Sequence, residues 1–212
     1  MIDKAVGNEY VGSGITNFRD INMSNLFRLD SPRPSGHNTL TDLVKDFKTH
    51  YGSRCDGEDI HYGSLPTLEA AIHDAAFGLG QEGKRSRHQA RIPQSVLKQS
   101  FTILRRSKNA IRRCRSFHEL WTLIGRSTED IQGLGELYVY DTARRIGVKR
   151  KLYPTSVYLH RGTRDGARAL KLDYRKSYIS SSDLPRELRR LSAAKAEDFL
   201  CIYKKSLSPF RR

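Results

Sequence analysis

The chain of 212 residues has few of the residues that mark secreted, metal-binding or membrane proteins. Its three cysteines, Cys55, Cys114 and Cys201, lie far apart and form no C-x-x-C pair. This spacing excludes the common zinc and redox motifs and favours free thiols in a reducing compartment. No run reaches the roughly 18 consecutive apolar residues of a membrane span, and the first residues do not resemble a signal peptide. We therefore expect a cytoplasmic protein without membrane contact, metal or cofactor.

Acidic residues are absent from one long stretch of the chain. Residues 83–118 contain no Asp or Glu but eleven Lys and Arg, in a chain with a formal net charge of +15. Such a concentration of positive charge favours a polyanionic partner, because neutralising phosphates releases counterions. DNA is the expected partner, with RNA left open, and a solvated basic surface is the alternative. The residues of this stretch that we expect to contact phosphate are Lys84, Arg85, Arg87, Arg105, Arg106, Arg112, Arg113 and Arg115.

Apolar spacing predicts an all-α fold. Helical spacing is clear from Leu40 to Phe47, from Pro66 to Leu79 and from Val96 to Leu104. We expect seven to nine helices in one domain over residues 39–212, preceded by an irregular arm over residues 1–38.

Two serines predict where later helices begin. Ser116 with Glu119 forms a capping box, and Ser192 precedes the apolar face of a last helix. The segment Val157 to Leu159 is a weak strand candidate.

Two glycines lie between helical segments at Gly133-Leu134-Gly135. Glycines permit a tight reversal and let backbone amides approach a ligand without interference from Cβ atoms. The free amides and positive dipole of the following helix face the same point, which predicts a phosphate site. We expect Leu134 to anchor the turn in the core, and Arg144 and Arg145 on the following helix to add phosphate contacts.

The segment Ile131-Gln132-Gly133-Leu134-Gly135, followed by a helix with Ala143, resembles the helix-hairpin-helix motif. The resemblance implies that the hairpin amides hold a DNA backbone phosphate without reading sequence. A longer segment, from Ser116 to near Arg190, is distantly similar to the helix-hairpin-helix DNA glycosylase superfamily, known as HhH-GPD. Members of that superfamily follow the hairpin helix with a proline-containing loop, an aspartate and another helix. Here the corresponding features are Tyr153-Pro154, His160 and residues 163–170.

The catalytic groups of that superfamily do not all have counterparts in this chain. The position of the lyase lysine is occupied by Leu137, and the position of the aspartate by His160. A shifted alignment would instead use Asp165 or Asp141. The four-cysteine iron–sulfur loop of some members is missing, since Cys201 is the one cysteine near the C-terminus.

The sequence therefore favours a DNA-binding protein that acts alone or in a larger protein assembly. The alternative is a DNA-processing enzyme, glycosylase-like or nuclease-like, that uses His160 with Asp165 or Asp141. A segment with several potential metal ligands, residues 55–61, is interpreted as an acidic loop that faces away from DNA. Tyr138 and Tyr140 beside the hairpin either stack on bases or pack in the core, and packing is favoured.

Overall fold

The computed structural model describes residues 39–208, apart from the side chains of residues 52–56. The arm expected over residues 1–38 lies outside the described residues. Within the described range, nine α-helices and one two-stranded sheet form, which confirms the prediction of an all-α fold. The helices are α1 (Leu40–His50), α2 (Gly52–Ser64), α3 (Leu68–Phe77), α4 (Gln94–Arg106), α5 (Lys108–Arg113), α6 (Phe117–Thr128), α7 (Glu136–Arg150), α8 (Arg161–Ala169) and α9 (Ala193–Tyr203).

Two of the helices begin at serines that cap them. Ser116 Oγ accepts a hydrogen bond from the Glu119 amide at 3.1 Å, and Ser192 Oγ accepts one from the Lys195 amide at 3.3 Å. The Glu119 carboxylate accepts from the amide of Arg115, one residue before the cap, at 2.9 Å. Both serine caps are therefore confirmed, because Ser side chains satisfy amides that the first turn of a helix leaves free. The predicted capping box at Ser116 does not form, since Glu119 accepts from the Arg115 amide instead of the Ser116 amide.

The strand candidate pairs with a segment that the sequence did not indicate. Strand β1 (Ser156–Tyr158) runs antiparallel to β2 (Tyr178–Ser180), and Val157 lies opposite Ile179. Val157 and Ile179 are buried, whereas Tyr178 is 42% exposed.

The prediction of a loop over residues 55–61 is wrong. Helix α1 ends at His50 and α2 begins at Gly52, so Glu58, Asp59 and His61 lie on a helix. Their side chains point to two different neighbours: the Glu58 carboxylate contacts α7, while His61 Nε2 lies 3.3 Å from Asp74 Oδ2. These residues therefore form helix–helix contacts.

Two apolar clusters form the core of the described residues. One joins α1, α8, α9 and the sheet, with Phe47, Phe199 and Tyr203 packed edge to face or stacked. The other joins α2 to α7, with Ile72, Leu104 and Ile146 among its fully buried side chains. Helix α7 packs against α2, α3 and α6, so it holds the turn that precedes it and the charged residues along it in fixed positions.

Candidate functional site

The turn between α6 and α7 is built from Ile131 to Gly135. The Ile131 side chain is buried and its amide donates to the Thr128 carbonyl, while the Leu134 amide donates to the Ile131 carbonyl. Gly133 has φ +92°, a conformation that side chains with a Cβ rarely adopt. Leu134 is only half-buried, so the expectation that it anchors the turn is corrected: Ile131 does so.

The first turn of α7 is open to a ligand. Gly135 is its N-cap and provides no side-chain hydrogen bond, in contrast to Ser116 and Ser192 on α6 and α9. Gln132, Gly133 and Gly135 are exposed. The backbone amides in the first helical turn of α7 are therefore available at the positive end of the α7 dipole.

An ion pair offsets Glu136, the acid in the first turn of α7. Arg164 on α8 makes two hydrogen bonds to the Glu136 carboxylate, Nη2 to Oε1 at 2.6 Å and Nε to Oε2 at 3.2 Å. Arg164 Nη1 also donates to the carbonyls of Tyr174 and Lys176. The guanidinium is thus fixed beside the turn and neutralises a carboxylate that would otherwise repel an anion.

The predicted basic residues separate into two groups along α7. The loop group, Lys84, Arg85 and Arg87, precedes His88, which approaches Asp141 in the second turn of α7 to 3.6 Å, and Lys84 is paired with Glu82 at 2.6 Å. The second group, which we call the arginine end, lies near the last turn of α7. There Arg150 Nη2 donates to the Arg112 carbonyl at 2.6 Å. Its members are Arg105, Arg106, Arg112, Arg113 and Arg115. The 15 residues of α7 separate the turn from the arginine end by about 21 Å, from the rise of about 1.5 Å per residue.

Most members of the arginine end carry uncompensated charge. Arg106, Arg112, Arg113 and Arg115 are all exposed, and within the described range none of them forms an ion pair. Arg105 lies 3.6 Å from Glu69 Oε1, a carboxylate that Lys108 also binds. The positive charge that the sequence concentrates here therefore remains on the surface.

Arg144 and Arg145 are not available to DNA, which corrects the expectation that they contact phosphate. Arg145 is only 5% exposed, and its Nε donates to Glu58 Oε1 at 2.8 Å. Arg144 lies between Glu58, Asp59 and Asp198, with N–O distances of 3.6 to 3.8 Å. Burial opposes ionisation of Glu58, but the charges of Arg145 and Arg144 hold its pKa below the usual value.

The three candidate catalytic residues do not converge at the surface. His160 is 3% exposed and caps α8: its Nδ1 accepts from the Gly162 amide, and the Thr163 hydroxyl accepts from the His160 amide. Asp165 pairs with Arg168 on the exposed face of α8. Asp141 pairs with His88, which lowers the Asp141 pKa against the opposing effect of burial. The carboxylate beside His160 is instead Glu197 of α9.

Sequence reasoning missed the buried cluster of His160, Glu197 and Cys201. His160 Nε2 and Glu197 Oε1 are 2.6 Å apart, and a ligand atom of each of the three residues lies within 4.8 Å of the others. The available signal was Glu197 itself, because it occupies the apolar face of α9 beside Ala193, Ala196 and Leu200. An acid at a buried helical position requires a partner.

The hydrogen bonds of His160 favour a proton-sharing pair over a metal site. The Gly162 amide points at Nδ1, so Nδ1 is an acceptor and the ring proton is on Nε2, facing Glu197. A metal on Nε2 would require the proton to move to Nδ1, against the Gly162 N–H. Burial also raises the pKa of the Cys201 thiol to about 12, which makes it a poor ligand and a poor nucleophile.

Stability should depend on pH through this pair. Burial raises the pKa of Glu197 to about 7. Glu197 therefore holds its proton more tightly in the folded protein, and the stability that this contributes is lost as pH rises through about 7. Between pH values of about 5 and 8, we expect Glu197→Gln to reduce this loss by about 1 to 3 kcal/mol.

Urea unfolding of both proteins at each pH measures this difference. Gln keeps an oxygen that accepts from Nε2 but does not titrate, so the fold should survive. Parallel pH profiles for wild type and variant would contradict the assignment.

No family model matches the chain, and neither the curated proteins nor the solved structures contain a match. Among the described residues, no helix is long and apolar enough to cross a membrane.

Proposed function

We propose that this protein binds DNA by its phosphate backbone, with little dependence on base sequence. The observation that carries the proposal is the arginine end, where exposed Arg106, Arg112, Arg113 and Arg115 have no acidic partner among the described residues. Uncompensated, clustered arginines favour phosphate binding, because each phosphate that they neutralise releases counterions.

The turn before α7 supports the same proposal. It offers uncapped helix amides beside an ion pair that neutralises Glu136, the acid in the first turn of α7, which suits a single backbone phosphate. At the 3.4 Å rise of a DNA strand, its distance of about 21 Å from the arginine end corresponds to about six nucleotides. One DNA segment is therefore long enough to contact both.

Glycosylase or nuclease chemistry does not form part of the proposal. His160 is buried, and its two ring nitrogens are hydrogen-bonded to Gly162 and Glu197. Asp165 is hydrogen-bonded to Arg168. Burial keeps His160 out of reach of a nucleotide, and the exposed Asp165 carboxylate is occupied by its ion pair with Arg168.

Replacing Arg112, Arg113 and Arg115 with Ala tests the proposal. We expect duplex affinity at about 50 mM salt to fall by about tenfold or more for every DNA sequence. The slope of log affinity against log salt should become shallower by about 2 to 3, because roughly 0.9 counterions are released for each phosphate contact. Fluorescence anisotropy of labelled duplexes at several salt concentrations measures both quantities.

A matched variant separates the position of the charges from their number. Lys45, Arg186 and Arg190 line a different groove, between α1 and the segment before α9, and are also exposed. Their triple replacement with Ala removes the same charge and should change affinity and slope much less. Equal effects of the two triple variants would indicate that net charge, rather than the arginine end, controls binding.

A further inference from the structure

A group of aromatic rings lies on the surface next to the arginine end. His118 and Trp121 of α6 are stacked, with ring centroids 5.8 Å apart, and His118 meets Tyr178 of β2 edge to face at 5.4 Å. Beneath them Tyr158 is buried, 4.9 Å from Trp121 and 5.6 Å from Tyr178, and its hydroxyl lies 3.1 Å from His118 Nδ1. We call His118, Trp121 and Tyr178 the aromatic platform.

The platform is more exposed than a core cluster would be. Tyr178 is 42% exposed, His118 is exposed and Trp121 is half-buried, although their rings contact one another. Tyr158 already closes the core below them, at 4% exposure. The three outer rings therefore present aromatic surface to solvent, held in place by two secondary-structure elements.

Positive charge lies directly beside the platform. Arg115 is exposed and lies three residues before His118, so at most about 11 Å of chain separates their Cα atoms. Arg112 and Arg113 end α5, which precedes α6 by a short link. An aromatic surface next to unpaired arginines matches a partner with alternating phosphates and exposed apolar rings, because each phosphate meets a guanidinium and each ring can stack.

We propose that the aromatic platform binds unpaired bases of single-stranded DNA while the arginine end holds their phosphates. The inference rests on the proposed backbone binding and identifies the form of DNA that is preferred. In a duplex, the bases are paired and stacked on each other, so their faces cannot reach the platform. Unpaired bases stack on aromatic side chains whatever their identity, because every base has a π-face.

The sole tryptophan of the chain provides a direct test, because Trp121 belongs to the platform. Binding of an oligothymidylate of about 12 nucleotides should quench tryptophan emission through contact between a base and the platform. An abasic oligonucleotide of the same length carries the same phosphates without bases. It should bind more weakly, by about 5- to 100-fold, and cause little quenching.

Variants locate the effect on the platform. Tyr178→Ala and His118→Ala should each weaken oligothymidylate binding by about 5- to 100-fold and leave the affinity for duplex DNA unchanged. Tyr178→Phe keeps the ring and should bind like wild type. Tyr153→Ala is the matched control, since Tyr153 is 56% exposed and makes no ring contact with any described residue.

The outcomes distinguish this inference from the proposed function. If the abasic and thymidine oligonucleotides bind equally and emission does not change, the platform is excluded while backbone binding stands. If Tyr178→Phe loses as much affinity as Tyr178→Ala, or Tyr153→Ala as much as either, stacking at this position is also excluded. If no DNA of any form binds, both proposals are overturned.

Discussion

Arg145→Met should lower the free energy of unfolding by about 3 kcal/mol, because it removes one partner of a buried ion pair. Arg145 Nε donates to Glu58 Oε1 at 2.8 Å, and the guanidinium lies 5.8 Å from the centre of the Tyr62 ring. Burial alone would lower the Arg145 pKa, but Glu58 and Asp141 raise it, so the guanidinium remains protonated. Without Arg145, the Glu58 carboxylate keeps its desolvation cost and loses its nearest cation, and Asp141, which also pairs with His88, loses a positive neighbour. The loss lies toward the lower end of the range for buried pairs, since Glu58 is about a third exposed and also faces Arg144.

Arg168→Met is the matched control. Arg168 is also a helical arginine paired with a carboxylate, but the pair with Asp165 is exposed on both sides, at 57% and 46%. The exposed ion pair contributes between about 0 and 1 kcal/mol, and the cation–π contact of Arg168 with Tyr174, at 4.5 Å, contributes about 0.5 to 1 kcal/mol, so this variant should lose less stability than Arg145→Met. Urea unfolding followed by circular dichroism measures both.

A second change tests the cause of the loss. Glu58→Gln added to Arg145→Met removes the orphaned charge and should restore part of the stability. Equal costs for Arg145→Met and Arg168→Met, or no recovery in the double variant, would contradict the role given to this pair.

Hydrophobic periodicity and capping chemistry were enough to predict most helices. Leu40, Leu43, Val44 and Phe47 are buried on one face of α1, as their spacing requires. Ser116 and Ser192 cap α6 and α9 because short-range hydrogen bonding depends on residues only three positions apart. Such local signals are readable without knowledge of the tertiary fold.

Local sequence signals did not predict which charged residues are buried. Arg145 and Glu58 are 87 positions apart, so their pairing depends on how α2 packs against α7. A sum of charges counts Arg144 and Arg145 as cations for DNA, although carboxylates from α2 and α9 already surround them. The local composition of α2 was misleading too, because its glycines and polar residues are typical of loops.

The role of His160 depended on a residue far away in sequence. His160 lies directly before α8, where its side chain serves as a helix cap and binds Glu197, 37 residues later. The aromatic platform was hidden for a related reason. Tyr138 and Tyr140 beside the turn are buried, as the favoured interpretation predicted, whereas Tyr178 reaches His118 only because β2 pairs with β1.

Gly166→Ala is the other change from which we expect a large effect. It should lower the free energy of unfolding by about 3 kcal/mol, because α8 and α9 cross at this glycine. A Cβ at Gly166 would lie 2.2 Å from the backbone oxygen of Leu200 and 2.8 Å from its carbon. Backbone atoms of a packed helix cannot move aside as a side chain can, so the two helices must separate. That separation would also strain the hydrogen bond between His160 and Glu197. Overpacking outweighs the gain in helix propensity of roughly 1 kcal/mol that Ala has over Gly.

Gly125→Ala is the matched substitution, and we expect it to raise the free energy of unfolding instead of lowering it. Gly125 lies within α6, and a Cβ there would make an ordinary contact with Val139 Cγ1 at 3.6 Å. With no overpacking to oppose it, the change in helix propensity should stabilise the protein by about 0.5 to 1 kcal/mol. Urea unfolding of the two variants should therefore move the midpoint in opposite directions. A Gly166→Ala protein as stable as wild type would mean that α8 and α9 do not approach each other this closely, and the positions of His160 and Glu197 would need to be revised with them.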